Sequence, residues 1–248
     1  HGIMNIDVLS FARLAYRVFE ETGTKQMQVL DDEGKNLILR KIAGDYENKL
    51  TVLKGNIKKL GYISEVKSVI SEFTQYDIGE EEIDEMLDHL DEDSRLYYKL
   101  KDIRLLYEGF QDYLRERYIT KEELLDVLNS QVKESELLKN SVVVLDGFTG
   151  FTPVQNRLIL ELMRCCKEVW VTVTMDEREN PYAYKHPYQL FGLSKQMVTT
   201  LVRMAGEDHI EVEEPVCLYG YPVKRFEKNQ ELAFLERNIF RYGSGRYD

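Results

Sequence analysis

The sequence predicts an α/β protein, a parallel sheet with helices on both faces interrupted by an all-helical insertion. Three observations lead there. Beyond Asn140, short apolar runs at 142–146 and 169–174 are separated by a helical pattern at 153–166, and strands joined by crossovers of about a dozen residues pair in parallel. From Asp31 onward, by contrast, about a hundred residues carry helical rather than alternating periodicity. An apolar run at 6–9 has no neighbouring strand in sequence, so its expected partner is the later sheet. The expected division is therefore a discontinuous α/β domain at 1–30 and 141–248, with a helical insertion at 31–140.

Taken in order, residues 6–9 are the first expected strand. Ser10 stands where a helix cap belongs and Gly23 where a helix stops, with Phe11, Leu14, Ala15, Val18 and Phe19 at helical spacing between them. Further helices are expected at 32–43, 64–76, 80–90, 94–118 and 120–129, the last with Thr120 and Glu123 in capping-box register. The stretch 50–60 is ambiguous. On the 94–118 segment, Leu96, Leu100, Ile103, Leu106, Tyr107 and Phe110 form an i, i+3, i+4 stripe, which reads as core packing before any base-stacking role. After the strand at 142–146, Pro153 sits at a favourable first turn of the next helix, and a last crossover helix is expected around 188–204. Buried parallel strands require cover on both faces.

Composition narrows the function classes. The chain has 248 residues, 43% of them hydrophobic and 11% aromatic, enough for real cores. No apolar run reaches the ~20 residues a membrane helix needs, and the start has no basic region followed by an apolar stretch. A soluble cytoplasmic protein, with no membrane partner, is the expectation. Cys165, Cys166 and Cys217 make neither a CxxC nor a metal-ligand spacing, so the adjacent pair is read as helix-end packing and no zinc site or disulfide framework is expected. The net charge of -11 would repel a phosphate backbone as a whole. Much of that excess is concentrated between Glu80 and Asp93, on one expected helix and its exit. Such a run is either a solvated face or a surface for a basic partner, and any contact with DNA must come from elsewhere.

The most informative stretch is SVVVLDGFTGFTPVQ, from Ser141 to Gln155. An apolar run ending in Asp146 has the form of a buried strand with a carboxylate at its C-terminal edge, common in any α/β protein. In nucleotide-hydrolysing P-loop proteins such an aspartate helps hold magnesium. The continuation, with Phe148, Pro153 and Gln155, has the spacing of the superfamily 1 helicase motif II, but Gly147 stands where the water-activating glutamate belongs. A hydrogen atom cannot act as a base. The stretch resembles the AddB (RexB) family, the helicase-like subunit of bacterial AddAB-type helicase–nucleases that process double-strand DNA ends. Ser10-Phe11-Ala12-Arg13-Leu14-Ala15, running on to Arg17, is similar to the family's Ser-Phe-x-Arg-Leu-Ala segment, and the 231–240 region to the helix that closes its first motor domain.

This resemblance implies a partial RecA-like domain of the superfamily 1 helicase 1A type with a 1B-like helical insertion. It also implies ATP and magnesium for the parent complex, an iron–sulfur cluster in a nuclease region that this chain does not contain, and an AddA-type partner acting on a DNA single strand. No GxxxxGK[ST] loop is present, and with His1 at the start the expectation is a piece of a longer polypeptide, without cofactor or catalytic residue of its own. Candidate DNA contacts are Ser10, Phe11, Arg13 and Arg17; a serine there is equally a helix cap, and the arginines are equally solvated charges. The competing classes are a trimmed live motor, a protein-interaction module using the acidic helix, and a dehalogenase-type phosphatase loop at Asp146. The last lacks its second acid, since Phe148 occupies that place.

Overall fold

The computed structural model describes residues 5–24, 28–57, 59–115, 118–220 and 223–240; His1 lies outside them. Helix α1 (Phe11–Thr22) starts on Ser10, whose hydroxyl accepts the Arg13 N–H at 3.3 Å, and Gly23 closes it. Strand β1 (Gln28–Val29) leads into α2 (Asp32–Asp45), α3 (Leu60–Gln75), α4 (Glu80–Asp88) and α5 (Arg95–Leu114). Strand β2 (Tyr118–Ile119) then returns parallel to β1, with Gln28 opposite Tyr118 and Val29 opposite Ile119. The chain thus leaves and re-enters at one place. Next come α6 (Glu123–Gln131), the short α7 (Glu136–Lys139), β3 (Val142–Leu145), α8 (Pro153–Cys165), β4 (Glu168–Val171), α9 (Gly192–Glu207) and α10 (Gln230–Asn238). Strands β3 and β4 pair in parallel, with Leu145 opposite Val171. The architecture is mixed α/β and mostly helical, with two small parallel ladders. Among the described residues no helix is long and apolar enough to cross a membrane.

Two apolar cores flank the β1–β2 crossing. The first gathers Leu39, Ile57, Ile63, Ile83, Leu106 and Phe110 from α2 to α5 and the loop after α2. Gly109 lets α2 and α5 close up: a Cβ there would sit 2.8 Å from the Tyr46 ring and 2.9 Å from Ile42. The second core joins Ala15 and Val18 of α1 to Leu124, Leu128, Val132 and Leu138, and to Leu158 and Leu162 of α8. Residues 123–139, grouped by sequence with the helical segment, therefore bury their apolar side chains against α1 and α8. It continues into a smaller cluster of Leu145, Ile159, Met197 and Leu201, which seats α9.

Several expectations need correction. Residues 6–9 form no strand: among the described residues they have no ladder partner, Ile6 and Val8 are exposed, and Asp7 is drawn into an ion pair with Arg17 instead. The helix expected at 94–118 ends at Leu114 because the backbone turns extended at Arg115 and Tyr118–Ile119 joins β1; residues 116–117 lie outside the described residues. Among the described residues only one face of the β3–β4 pair is covered. Val143, Leu145, Val169 and Val171 face the core, while Val142, Val144 and Trp170 on the other face are exposed. The helix expected around 188–204 starts at Gly192, after Pro187 and a left-handed Phe191.

Two buried polar constructions hold the helical part in place. Asp102 on α5, 2% exposed, accepts the N–H groups of Thr51, Val52 and Leu53 at 2.8–3.1 Å and the Thr51 hydroxyl at 2.8 Å. This gives the irregular 50–57 stretch its shape. Lys35 of α2, also 2% exposed, places its ammonium 2.7 Å from Glu122 and 3.2 Å from the Ser71 hydroxyl, joining the two cores beside the β1–β2 ladder. Burial alone would raise the Glu122 carboxyl, but the hydrogen bond and charge of Lys35 outweigh it and hold the group below its ordinary value.

Two consequences are measurable. Asp102→Ala strands three backbone donors and lowers unfolding stability by about 3 kcal/mol in urea titrations, with Asp102→Asn milder because one acceptor oxygen remains. Glu122→Gln leaves the Lys35 charge buried without its counter-ion and costs about 3 kcal/mol at neutral pH. Because the Glu122 value is depressed on folding, its stabilisation is present above the unfolded carboxylate value and lost as pH falls through the folded one. The parent's unfolding midpoint therefore drops on acidification below about pH 4.5, and the variant's drops less.

Candidate functional site

The register of β3 and β4 builds the site. With Leu145 opposite Val171, the next residues, Asp146 and Thr172, leave the same edge of the pair side by side. The Thr172 hydroxyl donates to Asp146 Oδ1 at 2.5 Å and accepts the Gly147 N–H at 3.2 Å, while the Thr172 N–H donates to the Leu145 carbonyl at 3.0 Å. Both the carboxylate and the glycine are held by one threonine. Thr172 went unnoticed in the sequence, where only the strand register could have marked it.

Beyond Gly147 the loop turns inward. Phe148 stacks obliquely on Phe151, centroids 4.9 Å apart, and on Phe11, 5.8 Å away at the start of α1. Phe11 and Phe148 also pack against the cluster that seats α9. The structure thus brings together the two segments singled out in the sequence. Pro153 is the first residue of α8, and Gln155 closes its N-terminus: Gln155 Oε1 accepts the Thr152 N–H at 2.9 Å and the Thr152 hydroxyl accepts the Gln155 N–H at 3.4 Å. The motif spacing at Thr152, Pro153 and Gln155 is thereby accounted for by helix capping.

The basic candidates differ. Arg17 donates to Asp7 in an exposed ion pair, whereas Arg13, one turn earlier, is exposed and makes no ion pair among the described residues. Ser10 uses its hydroxyl for the cap of α1. Past β4, Asp176 is engaged by Arg178, which also donates to the Arg237 carbonyl at the end of α10. Burial raises the Cys165 thiol and pushes Cys166 up to about 12, so both stay protonated and unreactive near neutral pH.

Magnesium rarely relies on one carboxylate and usually takes the rest of its oxygen shell from phosphates and water. Asp146 offers one carboxylate, already bonded to Thr172, and among the described residues no group of three or more His, Cys, Asp or Glu side chains gathers. These residues do not by themselves make a magnesium–nucleotide site.

The family model described as ADDB, N-terminal, matches residues 1–236. The chain belongs to that family. Relatives named as the B subunit of an ATP-dependent helicase/deoxyribonuclease include one from Lachnoclostridium phytofermentans, 42% identical over 248 residues, 97% of this chain and 21% of its own length. One from Clostridium kluyveri is 34% identical over 247 residues, covering 100% of this chain and 21% of the relative. Another, from Clostridium acetobutylicum, is 30% identical over 245 residues, 97% and 20% of the two chains. This chain therefore spans about a fifth of the length of the curated relatives it matches.

Gly147 has φ +78°, a conformation that L side chains rarely adopt, although a Cβ there would meet nothing within 4 Å. Gly147→Glu is expected to destabilise the chain by about 1–2 kcal/mol through backbone strain alone. Chemical denaturation of the variant against Gly147→Ala, which should share most of that loss, checks the cause.

Proposed function

We propose that this chain is the N-terminal helicase-like region of the B subunit of an ATP-dependent helicase–nuclease that processes double-strand DNA ends for recombinational repair. In this reading it acts as an architectural, DNA-binding element with no motor of its own. The observation that carries it is the Phe11–Phe148–Phe151 cluster. It joins the Ser10-Phe11 segment to the Asp146-Gly147 loop at one edge of a parallel pair, as a helicase couples its strand-contacting segment to its nucleotide-binding one. The parallel β3–β4 pair with its α8 crossover supports a RecA-like plan, and the β1–β2 crossing supports a helical insertion of 1B type within 31–140. Gly147 cannot activate water, and its glycine conformation disfavours the acid that would.

The single strand, an AddA-type motor subunit as partner and a cytoplasmic setting belong to the same proposal, as do ATP and magnesium for the parent complex and an iron–sulfur cluster in its nuclease region. Arg13 is the best placed group for a phosphate, being exposed and without an ion-pair partner among the described residues. The alternative is a live motor. It predicts DNA-stimulated ATP hydrolysis by the intact B subunit alone, where our reading expects none above background. In the intact subunit, Arg13→Ala should weaken single-strand binding about five-fold at low salt and flatten the log–log salt dependence by about 0.7. Turnover by the isolated subunit, or a salt slope unmoved by Arg13→Ala, would count against the proposal.

A further inference from the structure

The acidic helix has a second side. On one side of α4, Arg104 of α5 collects Glu80, Asp84 and Glu108 at 2.9, 3.1 and 2.8 Å, fastening the two helices. Ile83 is fully buried beneath. On the other side, α4, the first half of α5 and the chain leaving α3 enclose an open groove of about 730 Å³. Its floor is apolar, formed by Ile78, Leu100 and Ile103, and its rim exposes large apolar side chains: Met86 at 39%, Tyr76 at 56% and Leu96 at 58%. Three such side chains around one concavity form a contiguous patch rather than scattered surface residues.

Charge decides what fits. Glu82 and Glu85 line the groove, Glu82 also accepting the Gly79 N–H at 2.8 Å, and Glu81, Asp88, Asp91, Glu92 and Asp93 lie on the same helix and its exit; none of these seven carboxylates has an ion-pair partner among the described residues. Lys99 and His89, which also line it, are outnumbered. Nucleic acid and anionic lipid would be repelled, and a second copy would bring its own excess of carboxylates. The walls are mostly helical, with Tyr76–Ile78 and His89–Leu90 irregular, and among the described residues no strand edge lines the groove to receive an extended peptide.

We infer that the α4–α5 groove receives an amphipathic helix with a basic border, its apolar residues at i, i+4 and i+7 seated between Met86 and Leu96 and its Lys or Arg side chains meeting the α4 carboxylates. The third helix completes a packing that two helices leave open. This does not rest on the DNA-binding reading, which concerns α1 and the β3–β4 edge.

The test uses the whole 248-residue chain and three synthetic helical peptides: one with Leu on one face and flanking Lys, one with Glu in place of every Lys, and one with the Lys composition scrambled so that the Leu residues share no face. Fluorescence anisotropy reads affinity, and the Met86 methyl resonance reads location. The Lys peptide is expected to saturate and shift Met86. The Glu peptide should bind at least about ten-fold more weakly, and the scrambled one should leave Met86 unmoved. Leu96→Glu should weaken the Lys peptide by about ten-fold, and Glu81→Lys with Glu85→Lys by about five-fold at low salt, the latter loss shrinking at high salt. These positions are exposed, so circular dichroism should report an unchanged fold. Equal binding of the scrambled peptide, an unmoved Met86, no saturable binding of the Lys peptide, or a Met86 shift caused by single-stranded DNA overturns the inference.

Discussion

The parallel pairing of β3 with β4 is the constraint on which the candidate site rests. A shift of one residue in that register would turn Val143 and Leu145 outward and separate Asp146 from Thr172. The register is secured by burial on one face only, where Leu145, Ile159, Met197 and Leu201 pack together. Each such side chain contributes about 1.5–3 kcal/mol when fully removed from water, so the cluster outweighs the few hydrogen bonds of a four-residue ladder. Packing under the strands, more than the ladder itself, positions the Asp146 edge.

A second link ties that edge to the helical part. The β1–β2 ladder is only two residues per strand, too short to be stable alone. It is held between Leu30 and Ile119, each in a different core, and the Lys35–Glu122 pair beside it. The pair adds little net stability compared with an apolar substitute, because two charges had to be desolvated. The pair ties α2 to the residue preceding α6, and parting the two groups would leave each charge buried alone.

What was legible in the sequence follows from how local each feature is. The cap at Ser10, the Thr120 and Glu123 box and the Pro153 start are chemistry within four residues, and each is present. The parallel β3–β4 pair was readable from the strand–helix–strand alternation. Residues 6–9 failed as a strand because β structure depends on a distant partner that no local pattern supplies. The end of α5 failed for the converse reason: the apolar stripe runs on, but pairing with β1 takes the backbone at Tyr118. That Asp102 of α5 caps a loop fifty residues away was not legible, because the contact exists only in the fold. At the site, Phe11 and Phe148 stood in two separate sequence segments, and only the fold brings their rings together.

The distribution of charge reconciles a net charge of -11 with the proposed contact to a nucleic acid strand. Exposed charges act over about 8–10 Å at physiological salt, while a folded chain of this length has a radius of gyration of about 18 Å. Helix α4 joins the first core through Ile83 and holds most of its carboxylates in solvent, while Arg13 lies on α1, whose Ala15 and Val18 belong to the second. At that range each surface is governed by its own neighbouring charges more than by the net charge of the chain. On α4 most carboxylates have no ion-pair partner among the described residues, which favours a basic ligand there. Ahead of α1 the acidic Asp7 engages Arg17, and Arg13 on α1 is exposed with no ion-pair partner among the described residues. Two ligands of opposite charge are then compatible with one acidic chain, and salt should weaken both contacts while a change in one leaves the other intact.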